Sequence, residues 1–182
     1  MKNPHAFTAS SPTAFAPISE RQFNTLKHHL EGEIFEDLTH RWMYSTDASI
    51  YQMMPELVAV PKTPGDLSVL LDFAREHRLP LTPRGGGTSL GGQAIGQGIQ
   101  VDFSKHLNQI LEIDTAAGFA RVQPGVILEH FNEALAPHQH WFGPDVAPTN
   151  RATLGGMIGN NSAGARSILY GKTLDHVLGL ET

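Results

Sequence analysis

The stretch Pro83-Arg84-Gly85-Gly86-Gly87-Thr88-Ser89-Leu90-Gly91-Gly92-Gln93 combines glycines with two hydroxyl residues and one arginine. Glycine has no Cβ, so it can take positive φ and allows the backbone to approach a ligand closely. Successive backbone N–H groups in such a loop can converge on one anion. The stretch therefore predicts a phosphate-binding loop. A mobile connection or a tight turn is the alternative that this loop alone leaves open.

The segments on both sides of the loop indicate that its position is fixed. Apolar Leu79 to Leu81 precede it, and Ile99 to Phe103 alternate in polarity as a β-strand does. A loop between two strands is positioned by the sheet. The side chain of Arg84 is compatible with two roles, a direct contact to phosphate or a salt bridge at the surface.

Composition and charge exclude several classes of function. The chain has 182 residues, a formal net charge of −5 and no cluster of basic residues, so nucleic acid is not an expected partner. It contains no cysteine, which excludes disulfides and iron–sulfur clusters within this chain. No apolar run approaches the roughly 18 residues of a membrane span. Met1 to Pro17 lacks the apolar core of a secretory signal. We expect a cytoplasmic protein with a disordered tail at residues 1–18.

Local signals predict that the first part of the chain forms a βαβ subdomain. The capping box from Ser19 to Gln22 begins a helix, within a helical segment that we place at residues 19–56. Leu57 to Val60 predicts a buried strand, and Thr63 and Pro64 predict the N-cap and first position of a second helix. Together with the strand before the glycine loop, these elements form a βαβ unit.

The next segment changes character and predicts a second sheet. Asn108 to Ile113 and Phe119 to Gln123 alternate in polarity on both sides of a turn, as a hairpin does. A helix from about Val126 to Ala136 follows. The mixture predicts an α+β fold with an N-terminal βαβ subdomain and a second, mixed-sheet subdomain, the whole domain extending over residues 57–182.

Gly143 to Gly164 is a second concentration of small and hydroxyl residues. Thr153 predicts the N-cap of a short helix from Leu154 to Ile158, whose N–H groups would point toward an anion. The small side chains would also let a planar ring approach the backbone. A tightly packed turn of small residues is the alternative.

Other nucleotide and metal motifs fail on inspection. Gly171-Lys172-Thr173 resembles the end of a Walker A loop, but Arg166 stands where that motif requires its first glycine. Gly96-Gln97-Gly98 lacks the third glycine of the dinucleotide fingerprint and precedes a strand instead of following one. His138 and His140 have no obvious third ligand nearby, so no metal site is predicted.

The two glycine clusters together resemble a known family. The segments that carry the resemblance are Pro83 to Gln93, Val122 to Val126, and Thr153 to Leu180. They are similar to the FAD-binding domain of the vanillyl-alcohol oxidase, or PCMH, type, and within it to the FAD-linked 2-hydroxy-acid dehydrogenases. Ser45 to Gln52 and Thr149 to Gly156 most resemble the large bacterial flavin and iron–sulfur D-2-hydroxyglutarate dehydrogenases. The resemblance covers about residues 33–182.

The resemblance implies FAD as the cofactor. The loop from Arg84 to Ser89 would wrap the FAD pyrophosphate through backbone amides, while the second cluster would hold its other side and approach the isoalloxazine. The implied cofactor-binding residues are Arg84, Gly85, Gly86, Gly87, Thr88, Ser89, Gln93, Pro144, Thr149, Leu154, Gly155, Gly156, Gly159, Asn160, Ser162 and Gly164. Some relatives attach the flavin covalently through a histidine in the glycine loop. Thr88 stands there in this chain, so non-covalent FAD is expected.

The implied activity belongs to a larger parent protein. That protein would oxidise a D-2-hydroxy acid, such as D-2-hydroxyglutarate or D-lactate, by hydride transfer to FAD. The family's domain continues beyond the equivalent of Leu180, so we expect a C-terminally truncated domain that is inactive alone, with the catalytic residues outside this chain. An unpaired strand near its end would permit self-association. The alternative is a non-catalytic nucleotide-binding or interaction fragment that retains the fold.

Overall fold

The computed structural model describes residues 16–181. Most of the predicted tail, residues 1–15, therefore lies outside the described residues, as does residue 182. The helices and strands, in chain order, are α1 (Glu20–His29), β1 (Glu33–Phe35), α2 (Leu38–Met43), β2 (Leu57–Val60), α3 (Pro64–His77), β3 (Leu81–Arg84), β4 (Ile99–Asp102), β5 (Ile110–Asp114), β6 (Phe119–Val122), α4 (Leu128–Leu135), α5 (Leu154–Gly159) and α6 (Ser167–Tyr170).

Four strands form the first sheet, in the order β1-β2-β4-β3. Strands β2, β4 and β3 run parallel, while β1 is antiparallel to β2. The predicted βαβ unit is confirmed as β2, α3 and β3, but β4 lies between its two strands. Because β3 is at the edge of the sheet, the glycine loop leaves from that edge.

Helices α1 and α3 cover the sheet because their apolar residues recur on one face. Phe23 and Leu26 of α1 share a core with Leu70 of α3 and with Leu57 and Ile99 of the sheet. The predicted capping box at Ser19 is present, and the predicted N-cap Thr63 forms a capping box as well, with Asp66. The residues that form each cap lie within four consecutive positions, so such caps can be predicted from the sequence.

Strand β1 was not predicted, since the segment 19–56 was expected to be helical. The strand has only three residues, which is shorter than the roughly four to eight over which alternation indicates a strand. Its pairing partner is β2, with Ile34 opposite Ala59. The division of the chain at residue 57 stays a prediction, although α1 and β1 contribute to the same core as β2.

A second unit contains the predicted hairpin, confirmed as β5 antiparallel to β6. Helices α4 and α5 pack against it through a core that includes Leu128, Phe131 and Met157. The predicted α+β class is therefore confirmed. The mixed sheet is the first one, however, and the second sheet is a two-stranded antiparallel hairpin.

The end of the described chain differs from expectation. Residues 177–181 form no strand in the part of the chain that the structure describes, so the unpaired strand expected there is absent from it. Leu178 and Leu180 in this segment are 84% and 60% exposed. Between residues 16 and 181, no helix is long and apolar enough to cross a membrane.

Candidate functional site

The glycine loop after β3 presents a row of unpaired hydrogen-bond donors. Among residues 16–181, no protein group accepts a hydrogen bond from the backbone N–H groups of Gly85 to Leu90. Gly87 has a φ of 64°, which turns the chain within this row. Successive N–H groups around a left-handed residue form a concavity that binds anions. The loop thus has the donors that its sequence predicts.

The second glycine cluster lies directly against this loop. A Cβ on Gly85 would collide with Oγ1 of Thr153, and a Cβ on Gly86 would collide with the carbonyl oxygen of Arg151. The two clusters are therefore brought together. At these two positions the missing Cβ permits close packing of the loop on residues 151–153.

Helix α5 begins as predicted, but its first N–H groups already have acceptors. Thr153 is the N-cap, and the predicted helix over 154–158 is confirmed within Leu154–Gly159. The hydrogen bonds run from Leu154 N to Val126 O (2.8 Å), from Gly155 N to Pro124 O (2.8 Å) and from Gly156 N to Thr153 Oγ1 (3.3 Å). The expectation that these groups point toward an anion is wrong. An antiparallel bridge between Ile127 and Thr153 brings the competing carbonyls to the helix start.

The side chain of Arg84 folds back into the loop. Its Nη1 donates to the carbonyl oxygen of Ala94 at 3.0 Å, and its guanidinium carbon lies 5.3 Å from the centroid of the Tyr44 ring. Arg84 forms no salt bridge with any residue from 16 to 181. Its observed role is to tie the start of the loop to its end, ten residues later.

The segment before β2 holds the loop from the other side, which sequence reasoning missed. Asp47 accepts hydrogen bonds from Ser49 N (2.8 Å) and Ala94 N (3.3 Å). Ala48 N donates to the carbonyl oxygen of Gly87 at 3.0 Å. The signal was available, because Ser45 to Gln52 is one of the segments that carry the family resemblance, yet no residue in it was assigned to the site.

Charge at the base of the loop is balanced by Arg84. Burial opposes ionisation of Asp47, but hydrogen bonds from Ser49 and Ala94 and the nearby Arg84 charge outweigh it and lower the pKa of Asp47. Burial and the hydrogen bond to the Asp102 carboxylate raise the pKa of Tyr44. The guanidinium of Arg84 therefore lies close to the ionised carboxylate of Asp47 and to the neutral phenol of Tyr44.

The hydroxyl and amide side chains of the loop bond to one another. Ser89 Oγ donates to Gln93 Oε1, which also accepts from Gly91 N at 3.1 Å. Thr88 is half-buried and its hydroxyl has no protein partner among residues 16–181. The side chain of Gln93 thus bonds to the second half of the loop, at Ser89 and Gly91. Its contact to the cofactor stays a prediction.

The predicted residues of the second cluster occupy several environments. Pro144 and Leu154 are buried, and Leu154 belongs to the second core. Gly159 is exposed, and a Cβ there would meet nothing within 4 Å. The others bond or pack within the protein: Thr149 O accepts from Glu129 N (3.1 Å), Asn160 Nδ2 donates to Gly156 O (3.2 Å), Ser162 O accepts from Thr173 Oγ1 (2.7 Å), and Gly164 packs against Asp145.

The arrangement fits the pyrophosphate of FAD. Six successive backbone donors are available, and the Cβ of Arg151 lies beside Gly86, which places a cationic residue next to them. No acidic side chain in the described part of the chain pairs with Arg151. The described residues contain no group of three or more metal-ligating side chains, and His138 and His140 are both exposed. The site's chemistry is therefore that of an anion held by amides.

The class of protein follows from the fold and this site. The structure superposes on p-cresol methylhydroxylase, solved with substrate bound, with a TM-score of 0.67 at 20% identity, covering 83% of this chain and 32% of that one. The predicted PCMH-type fold is confirmed. A family model described as FAD binding domain matches residues 55–182, and the chain belongs to this family.

Two curated relatives give the resemblance more detail. D-2-hydroxyglutarate dehydrogenase from Escherichia coli (strain K12) is 45% identical over 152 residues, which cover 82% of this chain and 15% of the relative. Glycolate oxidase subunit GlcD from Bacillus subtilis (strain 168) is 43% identical over 143 residues, covering 78% of this chain and 30% of the relative. The chain thus spans a minor part of the length of both proteins.

Proposed function

We propose that this chain supplies the pyrophosphate-binding part of a flavoprotein that oxidises a D-2-hydroxy acid, with D-2-hydroxyglutarate or D-lactate as candidates. When bound, FAD would accept a hydride from the Cα of the hydroxy acid. The residues of this chain bind and orient the cofactor. We place the residues that touch the substrate outside this chain, and we expect the chain by itself to be inactive.

The observation that carries the proposal is the row of unpaired N–H groups from Gly85 to Leu90, packed on residues 151–153. A pyrophosphate brings two negative charges and many acceptor oxygens. Each hydrogen bond to such a charged group contributes about 1.5–3 kcal/mol. The relatives, a D-2-hydroxyglutarate dehydrogenase and a glycolate oxidase subunit, both have names that indicate 2-hydroxy acids.

The proposal assigns separate roles within the predicted set of cofactor-binding residues. The loop from Gly85 to Ser89 donates to the pyrophosphate. The exposed end of α5, with Gly159 and Asn160, faces the ring of the flavin. Attachment is non-covalent because Thr88 offers no imidazole to the ring. The remaining members, including Thr149, Ser162 and Gly164, support the backbone around this surface.

Titration of the full chain with FAD tests the proposal. We expect the flavin fluorescence to change saturably and the visible spectrum to shift, since the cofactor leaves water for a structured site. Acid precipitation of the complex should then release all of the flavin into the supernatant. A chain that leaves both spectra unchanged contradicts the cofactor role, and flavin retained in the precipitate contradicts non-covalent attachment.

Two further properties belong to the same proposal. We place the protein in the cytoplasm, as its sequence led us to expect. Fractionation of cells that express the protein tests this location. Self-association would proceed through the exposed apolar segment that contains Leu178 and Leu180. Sedimentation at two protein concentrations should then show a shift toward a dimer.

A further inference from the structure

One residue just after the glycine loop, Ala94, is held at both of its backbone polar atoms. The N–H of Ala94 donates to Oδ2 of Asp47 at 3.3 Å, and the carbonyl oxygen of Ala94 accepts from Nη1 of Arg84 at 3.0 Å. Asp47 precedes β2, and Arg84 ends β3. Two distant parts of the chain therefore fix the two peptide groups on either side of the Ala94 Cα.

The two side chains are themselves fixed. Asp47 also accepts from Ser49 N at 2.8 Å, which closes a short turn. The guanidinium of Arg84 lies over the Tyr44 ring, and the Tyr44 hydroxyl donates to Asp102 at the end of β4. Because Asp47 and Arg84 are both fixed, the backbone of Ala94 cannot shift without breaking several hydrogen bonds. The loop is thus pinned to the ends of two neighbouring strands.

The same segment reaches the part of the loop that carries the unpaired donors. Ala48, next to Asp47, donates to the carbonyl oxygen of Gly87 at 3.0 Å. Gly87 is the left-handed residue of the loop, with a φ of 64°. Any movement of the Asp47 turn therefore moves the point at which the row of N–H groups bends.

We propose that Asp47 and Arg84 are positioning residues that hold the glycine loop ready for the FAD pyrophosphate by clamping the backbone of Ala94 from both sides, and that neither touches the cofactor. This inference rests on the proposed function. Binding sites gain affinity when the bound geometry is already present in the free protein, because less ordering remains to be done. The clamp would therefore act mainly on the dissociation rate of FAD.

The test compares the FAD dissociation rate of the full chain with those of Asp47→Ala, Arg84→Gln and the double variant. Each single variant should release FAD at least tenfold faster. The double variant should release FAD no more than threefold faster than the faster single variant, because both side chains hold the backbone of the same residue, Ala94. The proposal is overturned if the effects of the two substitutions on the FAD dissociation rate are additive. It is also overturned if the dissociation rates of the single variants lie within twofold of that of the unchanged chain.

Asp114→Ala is the matched control. Asp114 also accepts from two backbone N–H groups, those of Ala116 (3.0 Å) and Ala117 (2.9 Å), but in the hairpin turn. Its removal should leave the FAD dissociation rate within twofold, which separates the clamp from a general loss of turn structure. Asp47→Asn keeps the shape of the side chain and replaces Asp47→Ala in the test if that variant does not fold. We expect the FAD dissociation rate of Asp47→Asn to increase about threefold.

A second measurement needs no cofactor. The amide hydrogen exchange of Ala48 reports whether Gly87 stays in place, since the Ala48 N–H donates to it. Arg84→Gln should speed this exchange at least tenfold, whereas Arg121→Gln, which removes an exposed arginine paired with Glu181, should not. Unchanged exchange overturns the clamp. If the unchanged chain binds no FAD, the proposed function fails while this measurement still decides the clamp.

Discussion

The glycine loop after β3 and the start of α5 have similar compositions but opposite hydrogen-bond states. In the loop, the N–H groups of Gly85 to Leu90 donate to nothing in the described chain. At the start of α5, the carbonyls of Pro124 and Val126 and the hydroxyl of Thr153 take the first three N–H groups. Small residues accompany unpaired backbone donors in the first region and close backbone packing in the second.

A third region shows what a filled amide nest looks like in this protein. The buried carboxylate of Asp66 accepts from four backbone N–H groups: those of Glu31 (2.8 Å), Gly32 (3.1 Å), Lys62 (2.7 Å) and Thr63 (3.2 Å). Here the anion belongs to the chain itself. The comparison teaches that the acceptor, and not the glycine content, decides whether a row of donors stabilises the fold or awaits a ligand.

Gly86→Val is the change with the largest expected effect. Its Cβ would meet the carbonyl oxygen of Arg151, so the loop must move away from the second cluster. Overpacking costs about 1–3 kcal/mol, and the displaced donors no longer converge. We expect FAD affinity to fall by roughly 100-fold or more in an equilibrium titration.

Gly179→Val is the control for that change, because a Cβ on Gly179 would meet nothing within 4 Å. Its FAD affinity should match that of the unchanged chain. If Gly86→Val binds FAD equally well, the loop does not need its packing on residues 151–153, and the contrast between the two glycine regions loses its functional meaning.

The part of the fold that sequence predicts is the part with local signals. The N-caps Ser19, Thr63 and Thr153 were all predicted correctly, because a cap and its partner lie within one helical turn. The insertion of β4 between β2 and β3 was not predicted, since strand order depends on contacts distant in sequence.

The candidate site shows the same division. The loop and its glycines are visible in the sequence, and the resemblance supplies the cofactor. The hydrogen-bond acceptor of each N–H group, however, cannot be predicted from the sequence. Gly155 donates to Pro124, about thirty residues earlier in the chain, and Ala94 donates to Asp47, which lies 47 residues earlier. Such pairings require the tertiary structure, so the role of Arg84 within the loop could not be read from its neighbours.

Asp66→Asn tests the filled nest, with the next largest effect. The amide can accept fewer of the four hydrogen bonds and carries no charge, so we expect a loss of about 2–3 kcal/mol in the free energy of unfolding at pH 7. Chemical denaturation measures it. Asp72→Asn, on the same helix and with a side chain that is 77% exposed, should change the free energy of unfolding by less than about 0.5 kcal/mol.

The pH dependence gives this prediction a sign. Burial opposes ionisation of Asp66, but the four N–H donors outweigh it and hold its pKa below the ordinary value of 3.8. The stabilisation is complete above the unfolded-state pKa and is lost as the pH falls through the lower, folded-state pKa. The difference between the unchanged chain and Asp66→Asn should therefore be constant from pH 7 to about 5 and shrink toward pH 3. A difference that grows in acid contradicts this account.

Thr153→Ala has the smallest expected effect and tests the start of α5. The change removes the hydroxyl that accepts from Gly156 N at 3.3 Å, and loss of such a cap costs about 1 kcal/mol. FAD affinity should change by less than about threefold, because the N–H groups of this helix start bond to the protein and not to an anion. Thr153→Ser keeps the cap and should restore most of the lost stability. If Thr153→Ala weakens FAD tenfold while Thr153→Ser does not, the start of α5 takes part in binding the anion, and the two glycine regions work together instead of serving different purposes.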